Sequence, residues 1–534
     1  MVPSLDRPSV SNPIWRGTYV MFHRLFTLRN IHMSAGALED VFNFFMTVGS
    51  PALAAYSLQI THLNAAWLNK AFSDLEYPNS EIIPMVISAF QHVPIQISTS
   101  GASLPSLILL SQNDGYWEHL HKGIKRTRRW SIPLFVGFVW VILAALLTVV
   151  DSLTSSPTDS VEYSTVAAWT YLLPLIMGWM YVGTQPEPNH LKECLDGANR
   201  EAWVATDRED MPILTRDAVD QTQGIRFMEE GDVDDARKDE LKPVPVFNYA
   251  RAFTWSLQAQ HILWLVRKAA AEGEWGIPVD NGPGKDVDLV VSNGPEEDRL
   301  GSKEQVAECC TETPAPLEGA LETSGPTYPP SPLPNCAPDS SNTTLPICHK
   351  IVRPSRWAPG IWGRVTLAAF FALLLQWGTV GAAVSIHYWQ PPIGLGCRTL
   401  SFLLYGIAAT VSMFFCLAAS ILAHMSRPLY GIPSRFKACM DGGALLCGYL
   451  GKTFAFLSGI GIIVICSFHS SGVYNNCTCA STTFDRGVYH VVILAVDEVA
   501  GPGTVRIWIY WMVAAFSAAG LFGLSMYLTN PRRR

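Results

Sequence analysis

The sequence contains few charged residues. Asp, Glu, Lys and Arg make up 16% of its 534 residues, whereas soluble domains have roughly 25%. Hydrophobic residues make up 49% of the sequence. A soluble domain that extends over the whole chain is therefore excluded, and part of the chain is predicted to have lipid as its solvent.

The sequence also lacks the motifs that commonly carry catalysis. It has no HExxH, GxSxG or Walker sequence, no GxGxxG after a predicted strand, and no pair of CxxC units. These absences predict no cofactor and no metal site, and they make an enzyme the least favoured class of function. Residues 1–30 lack the apolar h-region of a secretory signal peptide, so the first spanning helix is expected to direct insertion.

What the sequence does contain is a set of long apolar stretches. A spanning helix needs about 20 mostly apolar residues, and an α-helix that is apolar on every face is typical of a membrane span. The predicted fold is therefore all-α, a polytopic bundle of transmembrane helices. Six clear spans are predicted near residues 133–150, 165–183, 365–387, 400–423, 444–468 and 505–528.

Two earlier stretches are weaker candidates, near residues 41–60 and 82–111, and both lack Lys, Arg, Asp and Glu. Pro51 is expected to kink the first stretch. Three prolines interrupt the second, which also fits a broken span, a re-entrant segment or an interfacial helix. Counting both stretches gives eight spans, the number that we favour, and counting only one gives seven.

The distribution of Lys and Arg over the short loops sets the predicted orientation. The loop at residues 121–129 is strongly basic and is placed in the cytosol, whereas the loop at residues 151–164 has no Lys or Arg and is placed outside. Alternation then places residues 184–362 in the cytosol, and eight spans also place the N-terminus there. The sequence does not distinguish the plasma membrane from an endomembrane.

The long loop between the two membrane parts is acidic. Residues 184–350 contain 30 acidic and 15 basic residues, whereas the rest of the chain contains 15 acidic and 23 basic residues. Residues 273–355 are rich in Pro, Gly, Ser and Glu and cannot bury enough apolar surface to fold, so they are predicted to be disordered. Residues 251–267 are predicted to form an amphipathic helix on the membrane or on the bundle.

The chain is thus predicted to have six parts. These are a cytosolic N-terminal segment, an N-terminal membrane part, a cytosolic loop with amphipathic helices, a disordered acidic segment, a C-terminal membrane part and a basic cytosolic tail. In chain order they cover residues 1–40, 41–183, 184–272, 273–355, 356–528 and 529–534.

Four stretches of the membrane parts resemble a family of multi-pass integral membrane proteins of filamentous fungi whose function is not known. They are GSPALAAYSLQITHLN (49–64), TRRWSIPL (127–134), QPEPNH (185–190) and QWGTVGAAVSIHYWQPPIGLGCRTLSFLLYG (376–406). The resemblance implies a fungal membrane protein. It carries over no activity, cofactor or site residue.

Polar residues inside predicted spans are candidates for a functional site. Lys452 is the strongest, and its simpler interpretation is that the ammonium group reaches the cytosolic headgroups. If Lys452 is buried instead, it needs a partner, and geometry favours Glu39 or Asp40. Gln376, near the middle of its span, is expected to bond to another helix, with a substrate contact as the alternative; His387 is a weaker candidate.

Two further patterns concern packing and the outer loops. Glycine pairs at i, i+3 spacing predict close helix contacts rather than a pore lining; the pairs are Gly448 with Gly451 and Gly520 with Gly523. On the predicted outer side, a disulfide bond between Cys397 and either Cys477 or Cys479 is possible, with free thiols as the alternative. Asn476 begins a glycosylation sequon there.

Three classes of function remain for a chain whose partners are the lipid bilayer and, through the loop, other proteins. A membrane scaffold or sensor is favoured, because long Pro- and Ser-rich cytosolic segments commonly recruit proteins. A transporter or channel is the first alternative, because broken helices often surround substrate sites. A seven-span receptor is the second and requires an outside N-terminus. No feature favours nucleic-acid binding.

Overall fold

In a computed structural model of the protein, the described residues all belong to one compact unit. The predicted disordered segment 273–355 lies outside them. The structure describes residues 37–98, 103–127, 139, 142–143, 160–182, 188–205, 212–217, 223–272, 357–390, 393–427, 433–471, 473–475 and 502–529.

These described residues are mostly helical, as the sequence predicts. In chain order the α-helices are α1 (Ala37–Gly49), α2 (Pro51–Phe72), α3 (Ile82–Ala89), α4 (Ser103–Leu109), α5 (Asp114–Thr127), α6 (Ser160–Trp169), α7 (Leu172–Val182), α8 (Pro188–Glu201), α9 (Asn248–Glu272), α10 (Ile361–Tyr388), α11 (Cys397–Met425), α12 (Ser434–Ser470) and α13 (Pro502–Leu528).

The strands are short and form two antiparallel pairs. One pair joins β1 (Ile95–Ile97) to β4 (Ile225–Phe227), with Ile95 opposite Phe227. The other joins β2 (Trp203–Val204) to β3 (Ile213–Leu214), with Trp203 opposite Leu214. Each pair ties the loop between the membrane parts to itself or to the segment after α3.

Four helices among the described residues, α10 to α13, are long and apolar enough to cross a membrane, which confirms the four predicted C-terminal spans. Their outer surfaces carry large apolar side chains that a soluble protein would cover. Side chains that are more than half exposed occur on each of them, for example Phe370, Leu404, Leu457 and Val513. This surface is consistent with a bundle surrounded by lipid.

The stretch near residues 41–60 forms two helices rather than one straight span. α1 and α2 meet at Ser50 at an angle of 93°, and Pro51 is the first residue of α2. The kink predicted from Pro51 is therefore present, because proline has no N–H group to continue the helix. Counted as one bent span, this pair would bring the number of candidate spans to five.

The prediction of eight spans is not supported, and the clearest correction is the stretch near residues 82–111. It folds into α3, a 3₁₀ turn over Phe90–His92, β1 and α4. Pro94 and Pro105 prevent one continuous helix. Apolar side chains of this stretch pack with α5, α8 and α9, so the lack of charge reflects burial in protein rather than in lipid.

The two remaining predicted spans differ in how much of them is described. Near residues 165–183 the chain forms α6 and α7, with a break at Thr170 and Tyr171. Pro174 accounts for the break, because its ring conflicts with the carbonyl of Thr170 four residues earlier. The stretch near residues 133–150 lies largely outside the described residues.

The described residues contain two apolar cores, and α9 belongs to both. The bundle core includes Phe253 together with side chains from α2, α6, α7 and α10 to α13. The second core includes Trp255 and Ile262 together with α3, α4, α5 and α8. The sequence pattern places Phe253, Leu257 and Trp264 on the apolar face of α9; Phe253 is buried, but Trp264 is 52% exposed. The buried face instead runs through Ala252, Trp255, Ala259, Ile262, Val266 and Ala269.

Glycines allow close helix contacts at some of the predicted positions. A Cβ atom on Gly451 would lie 2.6 Å from Cys416 Sγ and 3.0 Å from the backbone nitrogen of Cys416, so α12 approaches α11 closely there. A Cβ atom on Gly520 or Gly523 would meet no atom of the described residues within 4 Å. Close packing is thus confirmed at Gly451, whereas no described residue packs closely against Gly520 or Gly523.

Candidate functional site

The three polar residues singled out in the spans mark three different places in the bundle. Gln376 lies at the break between α1 and α2, Lys452 lies against the acidic part of the loop, and His387 lies at the opposite end of α12 from that loop. The structure does not bring them into one site.

Gln376 joins three helices at the middle of the bundle. Its Oε1 accepts a hydrogen bond from the backbone N–H of Ala52 at 3.0 Å, and its Nε2 donates to the carbonyl of Gly406 at 2.9 Å and to Thr410 Oγ1 at 2.7 Å. The expected bond to another helix is confirmed. The first N–H groups of a helix have no hydrogen-bond partner within that helix. Gln376 supplies such a partner at the start of α2.

The residues around this break have further polar contacts with α11. Ser50 Oγ donates to the carbonyl of Ala409 at 2.9 Å, and Tyr405 Oη donates to the carbonyl of Val48 at 2.7 Å. Ala409 and Tyr405 lie near the middle of α11. The break between α1 and α2 is therefore hydrogen-bonded to the middle of α11.

Both arms of the α1–α2 pair contact the same part of the loop. The Lys242 ammonium lies 5.4 Å from the ring centroid of Phe42 on α1 and 5.1 Å from that of Phe247. Ser57 Oγ on α2 donates to the carbonyl of Val246 at 2.8 Å. The pair therefore forms a right-angled corner at Ser50, and both of its helices contact the loop.

Lys452 has a partner that the sequence did not suggest. Its Nζ lies 2.8 and 3.1 Å from the two carboxylate oxygens of Asp239, which is 213 residues earlier in the chain. Tyr249 Oη donates to Asp239 Oδ2 at 3.0 Å. The ion pair is partly exposed on both sides. The partner of Lys452 is thus Asp239, whereas the sequence favoured Glu39 or Asp40.

Asp239 belongs to a short charged segment that we call the clamp, residues 234–242. Most of it forms a 3₁₀ helix, Asp235–Leu241. Besides Asp239, two of its carboxylates face cations beyond the clamp. Asp234 lies 3.3 Å from Lys437 Nζ on α12, and Glu240 lies 3.7 Å from an Arg427 nitrogen just after α11. Three acidic side chains of one segment therefore pair with the α11–α12 hairpin.

Glu240 is the most deeply buried of these carboxylates, with 3% of its surface exposed. Arg237 binds both of its oxygens, at 2.9 and 2.8 Å, and Thr254 Oγ1 donates to it at 3.3 Å. Burial alone would raise the pKa of the Glu240 carboxyl, but Arg237 and Arg427 hold that pKa below its ordinary value. Glu240 is therefore a buried anion at neutral pH.

Arg251 connects the clamp to the segment after α3 and to the start of α9. Its guanidinium donates to the carbonyls of Gln91, Glu240 and Lys242 and to Asn248 Oδ1. Burial lowers the pKa of Arg251 to about 10, and the charge of Glu240 opposes that effect. The pKa stays far above 7, so Arg251 remains a cation that fastens the clamp to the rest of the fold.

Asn248 extends this network to His92. Its Nδ2 donates to Thr61 Oγ1 at 3.0 Å and lies 3.1 Å from His92 Nδ1, which therefore accepts the hydrogen bond. Burial lowers the pKa of His92 to about 3, and the positive charge of Arg251 adds to the effect. His92 is accordingly a neutral imidazole at physiological pH.

Two small cavities flank Arg251. Each has a volume of about 10 Å³, which is room for about one water molecule. One is lined by Glu240 and Thr254, among others, and the second by Thr61 and Asn64. Both lie at the junction of the two cores, and neither reaches the break near Gln376.

Two further predicted site residues, His387 and Cys397, lie at the other end of the bundle. His387 Nε2 lies 2.7 Å from Ser164 Oγ, and its ring stacks on that of His469. Cys397 is disulfide-bonded. Its two predicted partners, Cys477 and Cys479, lie outside the described residues, as does the sequon residue Asn476, so those predictions stay open.

The sequence analysis missed the clamp and His469. One signal could have suggested the clamp, because residues 234–242 are densely charged and the loop at 424–443 carries Arg427, Arg435 and Lys437 on the same predicted side. No local pattern could have suggested the stack of His387 and His469, which are 82 positions apart in the sequence.

No protein-family model matches the chain, and no similar curated protein or solved structure was found. The resemblance to membrane proteins of filamentous fungi therefore stays a prediction.

Proposed function

We propose that this protein is a multi-pass membrane scaffold or sensor. In this proposal the clamp holds the folded part of the loop, residues 223–272, against the bundle, and residues 273–355 are available for protein partners. The observation that carries the proposal is the set of ion pairs from Asp234, Asp239 and Glu240 to the α11–α12 hairpin.

The burial of the clamp supports a built attachment rather than a chance contact. A single exposed ion pair contributes about 0–1 kcal/mol. Glu240, Arg237 and Arg427 are instead nearly enclosed, with 4%, 11% and 10% of their side-chain surfaces exposed. Removing one partner from a buried pair leaves an uncompensated charge, which is strongly destabilising. The arrangement therefore favours one fixed position of the loop on the helices.

The contacts of α1 help to distinguish a scaffold or sensor from a seven-span receptor. A seven-span receptor requires an N-terminus outside, on the side away from the loop. Phe42, in the first half of α1, instead lies beside Lys242 of the clamp. This contact supports an N-terminal arm on the same side as the loop, which favours the scaffold or sensor over the receptor.

Reversing one charge of the clamp should loosen the loop. We expect Lys452→Asp to make residues 223–247 more sensitive to proteinase K in detergent, because it places two carboxylates where an ion pair stood. The double variant Lys452→Asp with Asp239→Lys should recover much of the protection, since the opposite charges face each other again. Fragments identified by mass spectrometry give the measurement.

The matched control for this experiment is Lys238→Asp in the same segment. Lys238 pairs with Asp235 at 2.8 Å, but both side chains are about two-thirds or more exposed. Such a pair is worth little, so cleavage should stay at the wild-type rate. Equal cleavage of the Lys452→Asp and Lys238→Asp variants would refute the role of the clamp.

Transport is the second candidate function, and the break at Ser50 favours it. In many transporters, half-helices end at mid-membrane with their N-termini directed at a substrate. α2 begins at mid-depth of the bundle in this way. Here, however, Gln376 already bonds to the start of α2 and Ser50 to Ala409, so the polar groups of the break are bound by protein.

Labelling at the break separates the two functions. The scaffold or sensor predicts that Ser50→Cys stays unreactive toward a water-soluble maleimide, because Ser50 is fully buried. Ser73→Cys, at the exposed end of α2, is the positive control, and the background from native cysteines is measured on the unmodified chain. Rapid labelling of Ser50→Cys would reveal a water-filled path and favour transport.

A further inference from the structure

Arg364, in the first turn of α10, is a buried cation without a hydrogen-bond partner among the described residues. It is 8% exposed, and none of its three guanidinium nitrogens has an acceptor there. Its guanidinium carbon lies 4.1 Å from the ring centroid of Trp67 on α2. Buried charges in proteins are normally paired, so Arg364 indicates a place for an anionic group.

The chemistry of this place suits a phosphate. A contact between a guanidinium and an aromatic ring leaves the five N–H donors of the arginine for other partners. These donors form a planar fork that matches two oxygens of a phosphate. Arg364 also lies at the start of a helix of 28 residues whose N-cap, Gly360, supplies no side-chain hydrogen bond. The N-terminus of a helix favours negative charge, so both features favour an anion.

The position of Arg364 along α10 corresponds to the level of lipid headgroups. Gln376 lies at the middle of the bundle, and Arg364 precedes it by 12 residues, which is about 18 Å along the helix axis. The hydrocarbon of a bilayer extends roughly 15 Å from its middle, and the headgroup layer extends to roughly 20–22 Å. Trp67 contacts Arg364 and therefore lies at the same level, where tryptophan is enriched in membrane proteins.

The neighbours of Arg364 on α10 face outward. Trp362 and Leu367 are 44% and 42% exposed, and Phe370, one turn further toward the middle, is 59% exposed. These apolar side chains belong to the surface that is consistent with contact to lipid. Acyl chains along Leu367 and Phe370 would leave their phosphate close to Arg364. A phospholipid therefore fits this surface better than a soluble anion does.

We propose that Arg364 binds the phosphate of an anionic phospholipid in the leaflet on the side of the loop. The guanidinium nitrogens are enclosed beside Trp67, so the side chain turns about its own bonds to meet the phosphate between Trp362 and Leu367. The guanidinium thereby exchanges a position without acceptors for charge-assisted hydrogen bonds. This site goes beyond the proposed function, because it includes no residue of the clamp.

The test measures lipid binding to the full-length protein in a neutral detergent. Native mass spectrometry gives the Kd of the first phosphatidylglycerol molecule that binds. Arg364→Gln should weaken this binding about tenfold to a hundredfold, the effect of losing hydrogen bonds between charged groups. Arg364→Lys should have an intermediate affinity, because lysine keeps the charge but lacks the planar fork. Equal affinity of the wild type and Arg364→Gln would overturn the proposal.

Arg435→Gln is the matched control for the loss of one positive charge. Arg435 is exposed near the start of α12, on the side of the loop, since Lys437 two residues later pairs with Asp234 of the clamp. An exposed charge is solvated and screened by salt, so the affinity for phosphatidylglycerol should stay within about twofold of the wild type. If Arg435→Gln weakened binding as much as Arg364→Gln, the attraction would be a general effect of net charge, contrary to the proposal.

Thermal unfolding in the same detergent separates a lipid site from a structural role. Without lipid, Arg364→Gln should unfold at the temperature of the wild type or slightly above it, since the substitution removes a buried cation that has no acceptor. Phosphatidylglycerol should raise the unfolding temperature of the wild type but not of the variant, because a ligand stabilises the state that binds it. An equal loss of stability with and without lipid would make Arg364 a structural residue and refute the site.

Two further additions identify the source of the phosphate. Phosphatidylcholine should stabilise the wild type less than phosphatidylglycerol does, because its own ammonium group balances its phosphate; equal stabilisation would overturn the preference for an anionic lipid. Inorganic phosphate should leave the unfolding temperature unchanged, since it has no acyl chains to lie along Leu367 and Phe370. If it matched phosphatidylglycerol, the site would bind a soluble phosphate instead. Failure of the Lys452→Asp experiment would refute the proposed function and leave these lipid measurements unaffected.

Discussion

Replacing Glu240 by glutamine should lower the free energy of unfolding by about 3–5 kcal/mol, the cost of leaving a buried charge without its partner. The neutral amide cannot balance Arg237 and Arg427, which lie against the carboxylate. Chemical unfolding in detergent at pH 7 gives the measurement. Since the pKa of Glu240 is held below its ordinary value, the deficit should be constant between pH 6 and pH 8.

Glu230→Gln is the control for this substitution. Glu230 precedes the clamp in the same loop and is exposed, so its change should alter stability by less than about 0.5 kcal/mol. A Glu240→Gln variant as stable as Glu230→Gln would show that the clamp is not a buried charge cluster. Both variants replace a glutamate by glutamine, so a large difference between their stabilities would come from the burial of Glu240.

The second large effect is expected at the crossing of α1 and α12. Gly49→Ala should destabilise the protein by about 3 kcal/mol, the upper part of the range for overpacked sites. A Cβ atom there would overlap the carbonyl oxygen of Ala455 and lie 2.6 Å from the nitrogen of Gly459. Backbone atoms cannot move aside as a flexible side chain can, so the end of α1 must shift. Thermal unfolding in detergent measures the loss.

Gly461→Ala on α12 provides the comparison, because a Cβ atom at Gly461 would meet nothing within 4 Å. It should leave the unfolding temperature unchanged or slightly raised, since alanine is the better helix former. If both alanine variants unfold at the same temperature, α1 and α12 are not in close contact. Gly459→Ala, whose Cβ would lie 2.7 Å from the carbonyl oxygen of Phe45, should resemble Gly49→Ala.

The C-terminal spans could be predicted from the sequence because their signal is local. Each of α10 to α13 is one continuous helix that contains an apolar stretch long enough to cross a membrane. The kink at Pro51 was equally local, because proline acts on its own helix. No comparison with distant parts of the chain was needed for these elements.

The stretch near residues 82–111 shows where that method fails. Hydropathy measures the exclusion of charge, and a protein core excludes charge as lipid does. Ile83, Val86 and Phe90 belong to the same buried core as partners such as Leu195 on α8 and Ile262 on α9. Those partners lie about 100 residues or more further along the chain, so the sequence pattern could not distinguish the second core from a membrane span.

The candidate sites were predictable only in part, for a related reason. A polar residue in an apolar run is visible, which is why Lys452, Gln376 and His387 were found. Their partners come from other segments, namely Asp239 for Lys452, Ala52 for Gln376 and His469 for His387. The sequence identifies a polar residue in an apolar stretch, but only the folded structure shows which group interacts with it.

The corner between α1 and α2 has a consequence for how the protein is made. Its hydrogen bonds join Ser50 to Ala409 and Ala52 to Gln376, across 359 and 324 positions of the chain. A ribosome adds about 5–20 residues per second, so the start of α2 emerges at least about 15 seconds before its partners exist. During that time the start of α2 lacks the hydrogen-bond partners that it has in the finished fold. Completion of the fold thus depends on a late step, in which α10 and α11 pack against a pair of helices that was synthesised first.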